Sequence, residues 1–133
     1  VRVDMAHRAN YALLAIMEHL GPTEGSPSVD WAEFVGERTT RHEFTVPVAD
    51  VRDVYVELQV YEVGDFGHEI VLNGDPLTGF DIPPGDGWQY WMDSLGEASL
   101  QTGTNSLQIL RDRSGDDAFA VGNAVVNWRE PVG

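Results

Sequence analysis

The sequence predicts an all-β protein: a single-domain antiparallel β-sandwich of the jelly-roll type, with about eight strands and at most a short helix near residues 30–35. Three observations carry this prediction. Apolar residues alternate with polar ones along several segments, turn residues recur at short intervals, and a length of 133 residues suits one domain. We therefore assign residues 1–133 to one sandwich domain, with residues 1–8 as a loose N-terminal extension in which Met5 is a candidate start.

The rest of the chain is organised around residues 54–74. The apolar residues of its first half alternate with more polar ones, a pattern that buries one face of a strand; they are Val54, Val56, Leu58 and Val60. A loop at 64–67 follows, and then a second apolar run that ends at Asn73-Gly74, a strong signal for a tight turn. We expect these two strands to be neighbours whose apolar sides close against a second sheet.

Other segments are interpreted in the same way. Strands are predicted at residues 9–19, 41–46, 88–95, 105–110 and 118–128. Residues 9–19 carry apolar side chains on both faces, which predicts a central or doubly covered strand. Asp30 and Glu33 stand at capping-box spacing, so this segment could start a helix of one or two turns. Residues 75–87 are interrupted by several Gly and Pro residues, which predicts a long connection of the kind that often carries binding residues.

Charge is the most informative feature of the composition. The 22 acidic residues outnumber the eight basic ones, all of them Arg, and the formal net charge is −14. Mutual repulsion on this scale opposes a compact state in dilute solution, whereas at molar salt the Debye length falls to about 3 Å. We therefore predict a halophilic protein from a salty cytoplasm. A surface without a basic stripe also argues against binding to nucleic acid or to anionic membranes.

The chain has no Cys, which excludes disulfides and thiol chemistry and fits a cytoplasmic, reducing location. Its longest apolar run, residues 12–17, is far shorter than the ~20 residues of a transmembrane helix.

The best binding candidates are the aromatic residues that follow the 75–87 connection. Trp88, Tyr90 and Trp91 supply flat rings of the kind that stack on sugars, and Asp86 beside them is a polar group that could fix a ligand's orientation. In a strand, Trp88 and Trp91 point to opposite faces, so at least one of them is expected in the core. Packing is the alternative interpretation for both.

His68 and Asp65 form a second candidate site. They flank the 64–67 loop, and with Glu69 they suggest a polar ligand contact or part of a metal site. A metal centre needs three or more converging ligands, and the other His residues lie in separate segments. Hydrolytic chemistry has little support, since Gly-x-Ser-x-Gly, His-Glu-x-x-His and Walker-type motifs are all missing from the sequence, although two carboxylates could still meet in space.

Two motifs carry a resemblance to a known superfamily. Leu72-Asn73-Gly74 precedes Leu-Gln-Thr-Gly-Thr-Asn-Ser-Leu at residues 100–107. This arrangement resembles the galactose-binding-like jelly rolls, which include sugar-binding domains attached to many glycoside hydrolases, and the likeness spans residues 54–128. More narrowly, the chain resembles small single-domain proteins of halophilic archaea without an assigned activity. Independently of any family, Asn73, Gly74 and Gly103 suit the positive φ of tight turns, and Asn105 can bond neighbouring backbone.

The resemblance implies a binding function and a possible structural calcium ion. It implies a non-catalytic binding module for a glycan or another small polar ligand. The alternative is a structural or assembly subunit making protein–protein contacts, which leaves a homo-oligomer open, and a metal-dependent or carboxylate-based enzyme is a third possibility. Structural calcium is common in the superfamily, so Asp112, Asp116 and Asp117 are candidate calcium ligands, with plain solvated surface as the alternative.

Overall fold

The structure, a computed structural model, describes residues 6–25, 29–77, 81–96 and 99–132. The described residues form nine strands and no α-helix, which confirms the all-β prediction. The strands are β1 (His7–Leu20), β2 (Glu33–Gly36), β3 (His42–Val46), β4 (Arg52–Val63), β5 (Glu69–Leu72), β6 (Asp75–Pro76), β7 (Gly85–Ser94), β8 (Gly103–Leu110) and β9 (Phe119–Pro131). No described helix is long and apolar enough to cross a membrane.

The strands form two sheets packed as a β-sandwich. One sheet has five strands in the order β2-β1-β9-β4-β7, and the other has four in the order β3-β8-β5-β6. All pairs are antiparallel except β1 with β2. Strands that are neighbours in the sheets are mostly distant in sequence, as in a jelly roll.

The core lies between the inward faces of the two sheets. The four alternating apolar residues of β4 are each at most 1% exposed, as the period-two pattern predicts. They pack with buried residues of the central strand β9, including Phe119, Val121 and Trp128. Because the inward faces of the two sheets are buried against each other, their outward faces are the ones exposed to solvent.

β4 and β5 lie in different sheets, so the prediction that they are neighbours is wrong. Residues 64–67 carry the chain from the five-stranded sheet to the four-stranded one, and Gly67 has a φ of 103°. The alternation of apolar and polar residues shows which face of a strand is buried. Strands of both sheets bury an apolar face, so they share the same pattern. The pattern therefore could not choose between the two sheets.

The short helix that the sequence allowed near residues 30–35 does not form. Residues 33–36 form β2, which pairs in parallel with the end of β1, and the Phe34 ring meets His19 edge-on with centroids 5.1 Å apart. Pairing satisfies backbone groups at the open edge of β1, and the ring contact covers apolar surface. A helix of one or two turns has little to offset the cost of its nucleation.

β1 differs from the sequence prediction in where it begins and in how many of its faces are covered. It begins at His7, so residues 7 and 8 belong to a strand rather than to a loose extension, and residues 1–5 lie outside the described part. β1 is flanked by β9 and, at its end, by β2, but Tyr11 and Leu13 are exposed on its outer side. The strand is therefore covered on one face only for much of its length.

The 75–87 connection is shorter than predicted. Residues 75–76 form the short strand β6 and β7 already begins at Gly85, while residues 78–80 lie outside the described part.

The turn motifs adopt the predicted backbone. Asn73, Gly74 and Gly103 have φ values of 53°, 84° and 96°. The amide of Asn105 donates to the carbonyl oxygens of Gln101 and Gly103, and its oxygen accepts a 2.9 Å hydrogen bond from the Asn73 amide. The two asparagines therefore join the two turns of the motif.

Candidate functional site

The candidate site is on the solvent side of the five-stranded sheet, which we call the outer face. The side chains of β4 that alternate with its core residues point outward, and strand pairing sets a residue of β7 opposite each of them. Three of these pairs are Tyr61 with Trp88, Gln59 with Tyr90 and Glu57 with Met92. Directly opposed residues share a face, so these six side chains lie in successive rows.

Three rings form an aromatic cluster at one end of this face, consisting of Trp31, Tyr61 and Trp88. The Trp31 and Trp88 rings stack with centroids 5.0 Å apart and an angle of 28° between their planes. Tyr61 lies 5.2 Å from Trp88 and meets Trp31 edge-on at 6.3 Å. Trp88 nevertheless remains 54% exposed and Trp31 38% exposed, so the cluster is held in place by its own contacts while much of its surface faces solvent.

A pocket of about 310 Å³ opens beside the cluster. Its described lining residues are Met17, Trp31, Gln59 and Trp88. Gly122 of β9 lies beneath, where a Cβ atom would come within 3.1 Å of Trp88 and 3.2 Å of the Gln59 Oε1 atom. The absence of a side chain at Gly122 therefore lets Trp88 and Gln59 approach the sheet closely.

Gln59 supplies the polar group of the pocket. Its Oε1 atom accepts a 3.2 Å hydrogen bond from the backbone N–H of Asn123. An N–H group requires an acceptor, so this bond fixes which end of the amide carries the oxygen. The amide nitrogen is then the end that can donate to a molecule in the pocket.

A polar network occupies the next rows of the outer face. The Glu57 carboxylate accepts a 3.3 Å hydrogen bond from the Asn127 amide. The pKa of Tyr90 is raised to about 12, mainly by a side-chain hydrogen bond to this carboxylate and further by slight desolvation of the hydroxyl and by the nearby negative charge. The protonated Tyr90 hydroxyl and the Asn127 amide are thus both donors to this carboxylate.

The aromatic part of the predicted site is split between the two faces. Trp88 and Tyr90 point outward, whereas Trp91 is partly buried and packs against the core, in line with the expected alternation. Asp86 is exposed near the start of β7 and Asp65 is exposed in the loop after β4, at the same end of the sheet as Trp88. Neither is among the described residues that line the pocket.

His68 lies inside the fold. It is 2% exposed, with its ring 4.3 Å from that of Phe119. Its Nδ1 atom accepts a hydrogen bond from the Asp112 backbone N–H, and its Nε2 atom donates to Asp117 at 2.7 Å. Both ring nitrogens are engaged, so His68 ties two loops together and has no nitrogen left for a ligand.

The three candidate calcium ligands do not gather around a common point. Asp117 accepts hydrogen bonds from the backbone N–H groups of Gly64 and Asp65 as well as from His68. Asp112 bonds Ser114, which is the main cause of its lowered pKa, and Asp116 is exposed. In the described ranges, no group of three or more His, Asp or Glu residues could hold a metal ion. Calcium binding remains a prediction.

Trp31 is the residue of this site that sequence reasoning missed. The short helix allowed by the sequence would include Trp31, but Trp31 lies in the segment before β2, where its ring reaches Trp88. One signal was available: Trp is a large apolar residue, and in a loop it needs a partner to cover it. Its partner lies on β7, far along the sequence.

Comparison with known proteins places the chain in a family. The model of a "Family of unknown function (DUF7383)" matches residues 8–130. The chain belongs to this family. For this DUF7383 chain, a search among curated proteins found no match.

A solved structure shares the fold of the DUF7383 chain. It is the CBM36-1 domain of a multidomain xylanase from the hindgut metagenome of Trinervitermes trinervoides, with a TM-score of 0.58 and 11% sequence identity. The alignment covers 93% of this chain and 99% of that one. The likeness confirms the β-sandwich jelly roll, and at this identity it shows the fold alone.

Proposed function

We propose that the protein is a non-catalytic binding module for a glycan or another small polar ligand, and that the ligand binds at the outer face. The observation that carries this proposal is the stacked pair of Trp31 and Trp88, which is open to solvent beside the Gln59 amide. An exposed aromatic surface needs a reason, since water is a poor partner for it. A sugar ring offers apolar C–H groups to the rings and hydroxyl groups to the amide.

The comparison supports the proposal at the level of fold. The CBM36-1 domain is a carbohydrate-binding module, and its backbone arrangement resembles that of this chain over nearly the whole length of both. Because a fold does not specify a function, the argument depends on the aromatic cluster and its pocket.

Trp fluorescence provides the test. The protein is titrated in molar KCl with a panel of soluble neutral glycans, and the same panel is repeated with Trp88→Ala. We expect saturable binding by the native protein, weakened by roughly tenfold to a hundredfold in Trp88→Ala, which is the range for truncating a central aromatic anchor. Phe66→Ala is the matched control, since Phe66 is 62% exposed in the loop between β4 and β5. No response to any glycan would contradict the proposal.

A second candidate function, an assembly subunit, has its own observation. Beyond the aromatic cluster, the outer face exposes further large apolar side chains, namely Tyr11, Leu13 and Met92. Apolar residues grouped on one sheet face are typical of protein–protein contacts. Sedimentation in molar KCl distinguishes the two functions: a dimer that dissociates in Leu13→Ser would favour assembly, and a monomer at all concentrations would contradict it.

We also propose that the protein is halophilic. With a net charge of −14, unfolding should be easier in dilute buffer than in molar KCl, because salt screens the repulsion among carboxylates. Thermal melts at increasing KCl concentration measure this. A midpoint that is equally high after desalting would contradict the proposal.

A further inference from the structure

The outer face carries a second set of ligand-binding groups beyond the aromatic cluster. We propose that it binds an extended, uncharged glycan chain at two subsites along the strand: one sugar on the aromatic cluster and another, further along the same chain, on Glu57, Tyr90 and Asn127. This inference rests on the proposed function and specifies the class of glycan.

The strand geometry aligns the two subsites. Tyr61, Gln59 and Glu57 are successive outward side chains of β4. Outward residues of a strand repeat about every 6.7 Å, so Tyr61 and Glu57 are separated by about 13 Å along the strand. This is longer than a single sugar ring, and Gln59 lies in the middle. A ligand that uses both ends must therefore be a chain.

The chemistry of the second subsite suits hydroxyl groups. A carboxylate has about four acceptor positions, and Tyr90 and Asn127 account for two at Glu57. These two partners hold the carboxylate in one orientation, which lowers the entropy lost when a ligand binds. Tyr90 is 63% exposed, so its ring also offers an apolar surface beside the carboxylate.

The charges at this face select against anionic glycans. Glu57 lies within the second subsite, and Asp86 is exposed on the same strand as Tyr90. The described outward side chains in the rows from Trp88 to Met92 include no cation. Arg52 and Arg129 share a row that lies two rows beyond Met92, and Arg129 pairs with Asp53 at 3.9 Å. A uronic acid or sulfate would thus meet a carboxylate without a compensating charge.

The test is a length series of xylo- and cello-oligosaccharides, from mono- to hexasaccharide, titrated by calorimetry in molar KCl against the native protein, Tyr90→Phe and Glu57→Gln. We expect affinity to rise by about tenfold from the disaccharide to the tetrasaccharide in the native protein, since each added subsite contributes its own contacts. Glu57→Gln and Tyr90→Phe should lose most of this increase while keeping the affinity for the shortest ligand that binds. Glu69→Gln, an exposed carboxylate of the other sheet, is the matched control.

The outcomes separate this inference from the proposed function. If Trp88→Ala abolishes binding but affinity is independent of chain length, or both Glu57→Gln and Tyr90→Phe bind like the native protein, the second subsite is excluded and the binding module stands. If the native protein binds none of these oligosaccharides, the second subsite is excluded, and the panel of soluble neutral glycans decides the binding module. Oligogalacturonides test the charge argument: binding as tight as that of neutral chains of equal length would overturn it.

Discussion

The ring of Trp31 lies on the ring of Trp88, with centroids 5.0 Å apart and planes 28° from parallel. One ring belongs to a loop before a short edge strand, and the other to the opposite edge strand of the same five-stranded sheet. Between them the two side chains cover the end of the outer face. The stacked pair lines the pocket, and aromatic stacking of this kind is expected to stabilise the fold as well.

A double-mutant cycle measures that stacking. Trp31→Ala, Trp88→Ala and the double variant should give a coupling free energy of about 0.5–1.5 kcal/mol, the range found for aromatic pairs beyond the area they bury. Urea unfolding in molar KCl supplies the free energies. A control cycle that combines Phe66→Ala with Trp88→Ala should give a coupling free energy near zero. Equal coupling free energies in the two cycles would contradict the stacking.

Gly122→Ala should displace the Trp88 and Gln59 side chains that lie over Gly122. The added Cβ would come within 3.1 Å of the Trp88 ring and 3.2 Å of the Gln59 Oε1 atom, so both side chains must move outward. We expect altered Trp fluorescence and a loss of about 1 kcal/mol in the free energy of unfolding, the lower end of the range for overpacking, because the half-exposed Trp88 can shift. Gly115→Ala is the control, because no atom lies within 4 Å of its added Cβ. A Gly122→Ala variant with native fluorescence and stability would exclude this close approach.

Tyr90 should ionise later than an ordinary tyrosine. Its hydrogen bond to Glu57 is the main reason that its pKa is raised from 10.0 to about 12. The pKa of Tyr90 is higher in the folded than in the unfolded protein. Its interaction with Glu57 therefore stabilises the fold fully below pH 10, and this stabilisation is lost as the pH rises from 10 to 12.

Absorbance titration of tyrosinate checks this prediction. The difference between the native protein and Tyr90→Phe isolates the one hydroxyl group, and Glu57→Gln should return its pKa toward the ordinary value. An unchanged titration in Glu57→Gln would show that another group is responsible. Unfolding measured over the same pH range should show the difference in stability between native and Tyr90→Phe proteins shrinking toward alkaline pH.

Asp117→Ala should destabilise the fold without touching the outer face. The carboxylate is only 9% exposed and accepts hydrogen bonds from His68 and from the backbone N–H groups of Gly64 and Asp65. Losing it leaves a buried His68 nitrogen without its partner, which costs about 1–3 kcal/mol. Urea unfolding measures the loss, and Asp116→Ala, at an exposed neighbour, should change little. Equal stability of the two variants would contradict the bridging role of Asp117.

Local pattern was enough to predict much of the fold. The alternation in β4 predicted its buried face, and Asn73 and Gly103 marked two turns, because both signals depend on neighbouring residues in the chain. The outward direction of Trp88 relative to Trp91 followed from the same period of two. His68 shows the limit of such reasoning: its position after a glycine loop suggested a ligand contact, but its burial depends on Phe119 and Asp117 from distant segments.

By itself, the sequence determined an all-β chain, the residues that face the core, the position of the turns and a surface dominated by carboxylates. The tertiary structure alone decided that β4 and β5 belong to different sheets, that residues 33–36 form a strand rather than a helix, and that Trp31 reaches Trp88. The physical reason is that alternation and turn chemistry act over a few residues. The choice of a strand's neighbour, by contrast, depends on backbone pairing and burial between segments that meet only when the whole chain has folded.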